Sequence, residues 1–258
     1  ITTFVMIVII NAFNLIDGID GLAAGVAILT TLALGTWFFL TGHIEYAVLA
    51  ASLIGGLSAY FYFNVFGKEN KIFMGDTGSL ILGLVSAILV VQFNEFNIAN
   101  TSAYAVHSAP AVSFGILIVP LFDTLRVFII RAMQKASPFT PDKNHIHHRL
   151  LDLGMSHLKA TQTILAVNVL FIAFVWMFQF MGIVELMVLN VALAIVLSRI
   201  PLYLSNNKHK IDPIFHPARR KTFQTVMPET IINGTSKRKN GNESKKVEKP
   251  VEEEEPVI

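Results

Sequence analysis

Long apolar segments separated by short polar connections constrain this chain more than any other feature. Seven such segments can be read, at about 1–16, 22–42, 47–66, 79–95, 109–131, 160–181 and 184–204. A helix of about 20 apolar residues crosses a bilayer. Hydrophobic residues make up 53% of the 258 residues, and charged residues make up only 15%. The sequence therefore predicts an all-α polytopic membrane bundle with about seven transmembrane helices.

The distribution of Lys and Arg between the segments predicts the orientation of the bundle. Connections 43–46, 94–108 and 182–185 contain no Lys or Arg. The other connections, 67–78 and 132–159, carry Lys68, Lys71, Lys135, Lys143, Arg149 and Lys159. Because positively charged loops stay in the cytoplasm, we expect these connections and the C-terminal tail to be cytoplasmic.

The composition changes near residue 205. Residues 205–258 are rich in Lys, Arg, Asn, Glu and Pro, and they end in a run of four Glu followed by Pro, Val and Ile. Such a segment buries too little apolar surface to offset its conformational entropy. The sequence therefore predicts a membrane domain at 1–204 and a disordered charged tail at 205–258. The tail either lies on anionic headgroups or stays solvated.

A polar run after the first apolar segment is the main candidate site. Asn11, Asn14, Asp17 and Asp20 follow one another at i, i+3 spacing, so in a helix each neighbours the next. Two carboxylates and two amides favour a hard cation, because Mg²⁺ takes carboxylate oxygens together with substrate phosphates. The alternative is an interfacial helix cap whose side chains serve only the backbone.

The connection 67–78 contributes a third carboxylate. Asp76 lies between Gly75 and Gly78 at the start of an apolar segment. Glycine lets a ligand approach the backbone closely, and a helix N-terminus offers N–H groups to a phosphate. Asp76 is therefore either a metal ligand or an ordinary N-cap.

Segment 109–131 contains two charged residues within its apolar sequence. Asp123 and Arg126 stand at i, i+3, so they can pair within one helix. Charges inside a membrane segment are usually functional, and a purely structural ion pair is the alternative.

The connection 132–159 contains a histidine cluster. His145, His147 and His148 fall within four positions beside Lys143 and Arg149, and the chain has no Cys. The histidines are too closely spaced for ordinary zinc ligation, whereas imidazoles with cations suit phosphate oxygens. We therefore favour a diphosphate-binding loop over a zinc site. A topogenic loop with incidental histidines is a further alternative.

Four motifs taken together resemble a known family. In order along the chain they are Asn11–Ala23, Phe73–Ser79, Pro120–Val127 and Asn144–Arg149. They resemble the polyprenyl-phosphate N-acetylhexosamine-1-phosphate transferases of glycosyltransferase family 4, from about residue 1 to 155. The match is specific because the four motifs occur together and in the expected order.

The resemblance implies a reaction at the bacterial plasma membrane. N-acetylglucosamine 1-phosphate passes from UDP-N-acetylglucosamine to undecaprenyl phosphate, UMP leaves, and Mg²⁺ or Mn²⁺ is the cofactor. The product would start a cell-envelope polysaccharide, either teichoic acid or a lipopolysaccharide antigen. The pattern His145-Ile-His-His148 favours this branch, whereas the muramoyl-pentapeptide branch of peptidoglycan synthesis shows three successive histidines.

The resemblance also implies roles for individual residues. The catalytic carboxylates would be Asp17, Asp20 and Asp76, and the metal site would consist of Asp76, Asn14 and Asp17. The substrate-binding residues would be Asn11, Asn14, Lys143, His145, His147, His148 and Arg149. The expected partners are the two substrates and the lipid bilayer, without nucleic acid, and a homodimer stays open.

One departure from the family pattern concerns an adjacent Asp pair, which occurs nowhere in this chain. We expect that pair to precede Ile1. We also expect residues 1–258 alone to insert in membranes but to show no transferase activity. A catalytically incomplete scaffold is therefore one alternative function, and the muramoyl-pentapeptide phosphotransferase of peptidoglycan synthesis is a second. A transporter or channel is a third, although the charges of such a protein would lie near the bilayer midplane, whereas the charges of this chain gather at one face.

Overall fold

The computed structural model describes residues 1–133 and 145–211, with the side chains of all but 202 and 204–211. These two ranges contain helices and no strand. In chain order the helices are α1 (Thr2–Ile16), α2 (Leu22–Thr41), α3 (Ile44–Phe66), α4 (Gly75–Ile98), α5 (Ala109–Ile116), α6 (Ile118–Met133), α7 (Ile146–Asp152), α8 (His157–Met177) and α9 (Ile183–Ile211). The predicted all-α class is confirmed.

Five helices are long and apolar enough to cross a membrane, namely α2, α3, α4, α8 and the Ile183–Pro201 part of α9. Helices α5 and α6 together form a sixth, broken span. Helix α1 is apolar but has only 15 residues, fewer than the roughly 20 that span a bilayer. The chain is therefore a multi-pass membrane protein.

The segment that we predicted as one span at 109–131 is instead two helices that meet at 80°. Pro120 explains the break, because it has no N–H to donate to the carbonyl of Ile116, four residues earlier. Asn168 of α8 compensates by donating its side-chain N–H to that carbonyl at 3.4 Å. The prediction of a single continuous helix here was wrong.

Three further differences from the predictions concern the polar parts of the chain. Helix α4 begins at Gly75 rather than at 79, so Asp76 lies in its first turn. Helix α7 interrupts the connection that we predicted as a loop. Helix α9 continues to Ile211, past the predicted boundary at 204. The rest of the predicted tail, 212–258, lies outside the described residues, and its disorder stays a prediction.

Helix packing determines where the polar residues meet. Helix α2 is the most buried of the long helices, at 67% of its span, and packs against α3, α4 and α8. Helix α1 packs antiparallel on α4, with Gly83 so close that a Cβ there would lie 2.6 Å from Ile10 Cα. This close approach places the end of α1 beside the start of α4.

Candidate active site

The first group of polar residues lies where α1 ends and α4 begins. Asn14 donates its side-chain N–H to Ser79 Oγ at 2.9 Å and to Asp76 Oδ1 at 3.4 Å. Asp17 follows directly after α1 and is half-buried. Burial, reinforced by the negative charge of Asp76, raises the pKa of Asp17 above its usual range. The two carboxylates are therefore close enough to repel each other.

The charge of Asp17 has no compensating partner within the described ranges 1–133 and 145–211, since no hydrogen bond or ion pair to its side chain occurs there. Asp76 accepts only the hydrogen bond from Asn14 through its side chain in the same ranges. Two exposed or half-buried carboxylates that face each other form a concentration of negative charge. Such a pair favours a cation between or beside the two groups.

The donor set fits Mg²⁺. This ion is usually held by one or two carboxylates and completes its coordination with phosphate oxygens and water. Asp17 and Asp76 supply the carboxylates, and Asn14 stands beside Asp76. In the described part of the chain, no group of three or more His, Asp or Glu could hold a metal by itself. The protein ligands of the predicted site would therefore be few, as expected for a Mg²⁺ that also binds a substrate.

Asp20 lies in a different environment from Asp17. Its Oδ2 forms an ion pair with Lys71 Nζ at 2.7 Å and contacts His157 Nδ1 at 3.2 Å. Its backbone carbonyl accepts a hydrogen bond from Thr161 Oγ1 at 2.7 Å. Helix α1 ends at Ile16. Of the residues predicted at helical i, i+3 spacing, only Asn11 and Asn14 therefore lie within the helix. Asp20 is thus tied to the α3–α4 connection and to α8.

Asn64 is a site residue that the sequence analysis missed. It is 4% exposed, accepts a hydrogen bond from Gly21 N at 2.7 Å and donates to the carbonyl of Ile72 at 2.8 Å. It therefore joins the loop of Asp17 and Asp20 to the connection that precedes Asp76. A lone amide in an otherwise apolar helix is a signal that could have found it.

The histidine segment packs against the loop between Asp17 and Asp20. His145 and His147 are buried, whereas His148 and Arg149 are half-buried. A Cβ on Gly18 would overlap the His147 ring, so only glycine permits this contact. Burial, followed by the charge of His148, lowers the pKa of His147 to about 4. His147 is therefore a neutral imidazole at pH 7.

The remaining predicted residues are placed as follows. Asp123 and Arg126 form the predicted pair, with Arg126 Nη2 donating to Asp123 Oδ1 at 3.3 Å. Asn11 is exposed and donates its side chain to the carbonyl of Ile7 in its own helix. In the part of the chain that the structure describes, no hydrogen bond links Asn11 to a site carboxylate. Lys143 lies outside the described residues.

Residues 1–94, which include both α1 and the start of α4, match the family model described as glycosyl transferase family 4. Over these residues the chain is similar to glycosyl transferase family 4. The resemblance inferred from the four motifs is thereby confirmed. Asn14, Asp17, Asp20 and Asp76 lie within this family 4 match, whereas Asp123 and the histidines lie after it.

Comparison with curated proteins gives relatives that are 30–34% identical to this chain. An undecaprenyl-phosphate alpha-N-acetylglucosaminyl 1-phosphate transferase of Yersinia pestis is 31% identical over 162 residues, covering 62% of this chain and 42% of the relative. A decaprenyl-phosphate N-acetylglucosaminephosphotransferase of Mycolicibacterium smegmatis is 34% identical over 176 residues, with the same two shares, 62% and 42%. The chain thus spans less than half of the length of these relatives.

Proposed function

We propose that this chain forms part of a membrane transferase that moves N-acetylglucosamine 1-phosphate from UDP-N-acetylglucosamine to undecaprenyl phosphate, with release of UMP. The observation that carries the proposal is the proximity of Asp17 and Asp76 at one end of the bundle, where Asn14 of α1 donates a hydrogen bond to Asp76 of α4. The names of the relatives support the sugar and the lipid phosphate.

Asp17 and Asp76 would hold Mg²⁺, or Mn²⁺ in its place, with Asn14 as the neighbouring amide. When bound, such a cation neutralises the charge that accumulates as a phosphate attacks a diphosphate. Phosphoryl transfer in enzymes depends mainly on positioning and electrostatic stabilisation. The chain's own task is therefore to hold the two phosphate-bearing substrates against this pair of carboxylates.

The nucleotide diphosphate would be bound by the half-buried members of the histidine segment. Arg149 can bind phosphate oxygens bidentately, and His148 lies next to it. His147 is buried and neutral, so it contributes shape and hydrogen bonding rather than charge. Asp20 would contribute through the Lys71 and His157 that it holds at the same end of the bundle.

The site end of the bundle would face the cytoplasm, and the tail would lie on the same side. This orientation rests on the Lys and Arg residues of connections 67–78 and 132–159. We further propose that the product starts a cell-envelope polysaccharide such as wall teichoic acid, on the strength of the His145-Ile-His-His148 pattern alone.

The reaction is tested by UMP release from purified full-length protein in detergent with undecaprenyl phosphate. The donor is either UDP-N-acetylglucosamine or UDP-muramoyl-pentapeptide, and each reaction contains EDTA, Mg²⁺ or Mn²⁺. We expect release with UDP-N-acetylglucosamine only, and only with a divalent cation. Release from the muramoyl donor alone, or unchanged release in EDTA, would contradict the proposal.

The orientation is tested separately. Residues 1–258 contain no Cys, so a single introduced cysteine is the one thiol within this part of the protein. Lys68→Cys should react with a membrane-impermeant maleimide only after the cells are opened, whereas Asn100→Cys should react in intact cells stripped of their wall. The reverse pattern would show that the site end faces outward.

A further inference from the structure

The candidate for a further role is Asp123, a carboxylate in the broken span that the proposed reaction does not use. It is 3% exposed, and both of its oxygens have partners. Oδ2 lies 2.8 Å from His145 Nδ1, and Oδ1 accepts from Ile146 N at 3.0 Å and from Arg126 at 3.3 Å. A buried carboxylate in a membrane helix is expensive unless it is paired, and this one is paired three times.

A simple ion pair within α6 does not explain this arrangement. Arg126 is three residues from Asp123 in the same helix and makes the longest of the three contacts. The two shorter contacts come from the start of α7, 22 and 23 residues further along. Ile146 is the first residue of α7, and a first-turn N–H has no acceptor within its own helix. Asp123 therefore joins α6 to α7.

The contacts continue from Asp123 to the proposed site. The His145 ring is nearly parallel to the His147 ring, at 10° and with 5.5 Å between centroids. The His147 ring in turn packs directly on Gly18, the neighbour of Asp17. The position of α7 relative to Asp17 thus depends on a continuous row of contacts that begins at Asp123.

We propose that Asp123 is a positioning residue that holds His145 with its proton on Nδ1 and thereby fixes the histidine segment against the loop of Asp17. The role rests on the proposed function, because the histidine segment is taken to bind the nucleotide diphosphate. Asp123 itself does not touch the substrate. A ring whose Nδ1–H is held by a carboxylate has a defined tautomer and orientation, which a substrate-binding imidazole requires.

The kinetic test uses Asp123→Asn in the full-length protein. The amide keeps the shape of the side chain but loses its charge and one acceptor oxygen. Because a displacement of about 1 Å can lower a rate by about 100-fold, we expect kcat for UMP release to fall about 100-fold. The KM for undecaprenyl phosphate should change by less than about threefold, since that substrate does not depend on the histidine segment. Asp123→Glu, which keeps the carboxylate, should recover part of the loss.

A matched control is available in α7 itself. Asp152 is an exposed carboxylate at the end of that helix, and Asp152→Asn should leave kcat unchanged. A kcat for Asp123→Asn within about threefold of wild type would overturn the proposal. So would an equal loss in Asp152→Asn, because the effect would then come from charge rather than from position.

A second measurement does not depend on activity. The ring nitrogens of His145 are observed by ¹⁵N NMR of the wild-type protein in bilayers, with the signal assigned by its loss in His145→Gln. We expect the proton on Nδ1, and we expect that signal to change in Asp123→Asn. An unprotonated Nδ1 in wild type would overturn the positioning role. Wild-type protein that transfers nothing would instead refute the proposed function.

Discussion

Asp17 and Asp20 lie three residues apart in one loop and have opposite surroundings. Asp17 is half-buried, faces Asp76, and has no ion-pair partner among the residues that the structure describes. Asp20 is held by Lys71 and His157. The negative charge of Asp17 is therefore not balanced by a nearby positive charge in the described ranges, whereas the negative charge of Asp20 is balanced by Lys71. Of these two carboxylates, Asp17 is the one that lacks an ion-pair partner among the described residues, as the proposed cation site requires.

This difference suggests separate roles for Asp17 and Asp20, which the sequence alone did not distinguish. An uncompensated pair of carboxylates destabilises a metal-free protein, and it is maintained at sites where a ligand relieves the repulsion. A carboxylate that is held by a lysine and contacts a histidine ring instead fixes the loop to the elements that carry those two residues. Asp17 is thus the stronger candidate for contact with a cation, and Asp20 is the stronger candidate for holding the loop in place.

The largest expected effect is on transfer by the Asp17 and Asp76 variants. Asp17→Asn and Asp76→Asn should each lower UMP release by about 1,000-fold or more, because metal-ion stabilisation of the developing charge is worth several kcal/mol. The measurement is the initial rate in membranes with protein amounts matched by immunoblot. Asp20→Asn should lower the rate of UMP release by clearly less than either of these variants. An equal loss at Asp20 would remove the distinction between the two ends.

A smaller loss is expected when the contact between the loop and the histidine segment is disturbed. Gly18→Ala places a methyl group where the His147 ring lies, so the ring and α7 must move. We expect transfer to fall about 100-fold. The matched control is Gly55→Ala in α3, where a Cβ meets nothing within 4 Å. If both variants behaved alike, the contact with His147 would not matter for transfer.

The smallest effects are on stability, and they should differ in sign. In EDTA, Asp17→Asn removes the repulsion with Asp76 and should raise the free energy of unfolding, because burial and the charge of Asp76 both disfavour the ionised form of Asp17. Asp20→Asn weakens a partly exposed ion pair and should lower it by about 1 kcal/mol. Thermal unfolding of the detergent-solubilised protein measures both. Added Mg²⁺ should raise the Tm of wild type more than that of Asp17→Asn. If Asp17→Asn and Asp20→Asn changed the free energy of unfolding in the same direction, the proposed difference between the two residues would be refuted.

The helical class and most helix positions could be predicted, because a bilayer requires long apolar helices and the sequence shows their lengths directly. Pairing within one helix could also be predicted, as Asp123 and Arg126 show. The break after Ile116 had a signal in Pro120, but proline is tolerated in membrane helices when neighbouring groups satisfy the backbone. Whether such neighbouring groups are present depends on how the helices pack, which the local sequence does not show.

The environments of Asp17 and Asp20 could not be predicted for a related reason. Lys71 is 51 residues from Asp20 and His157 is 137 residues from it, and no local pattern links them. The sequence identified the carboxylates and the histidines as candidates, but their partners depend on how α4, α7 and α8 pack. The same holds for Asp123, whose two shortest contacts lie across the connection 134–144.

The broken span has a consequence for how the protein is made. The carbonyl of Ile116, which Pro120 leaves without a helical donor, is served by Asn168, 52 residues later in the chain. At about 5–20 residues per second, the ribosome needs about 3–10 s to synthesise that distance. In hydrocarbon an unpaired carbonyl is unfavourable by several kcal/mol. The carbonyl of Ile116 therefore gains its partner late in biogenesis, only after α8 has been synthesised and has packed against α5.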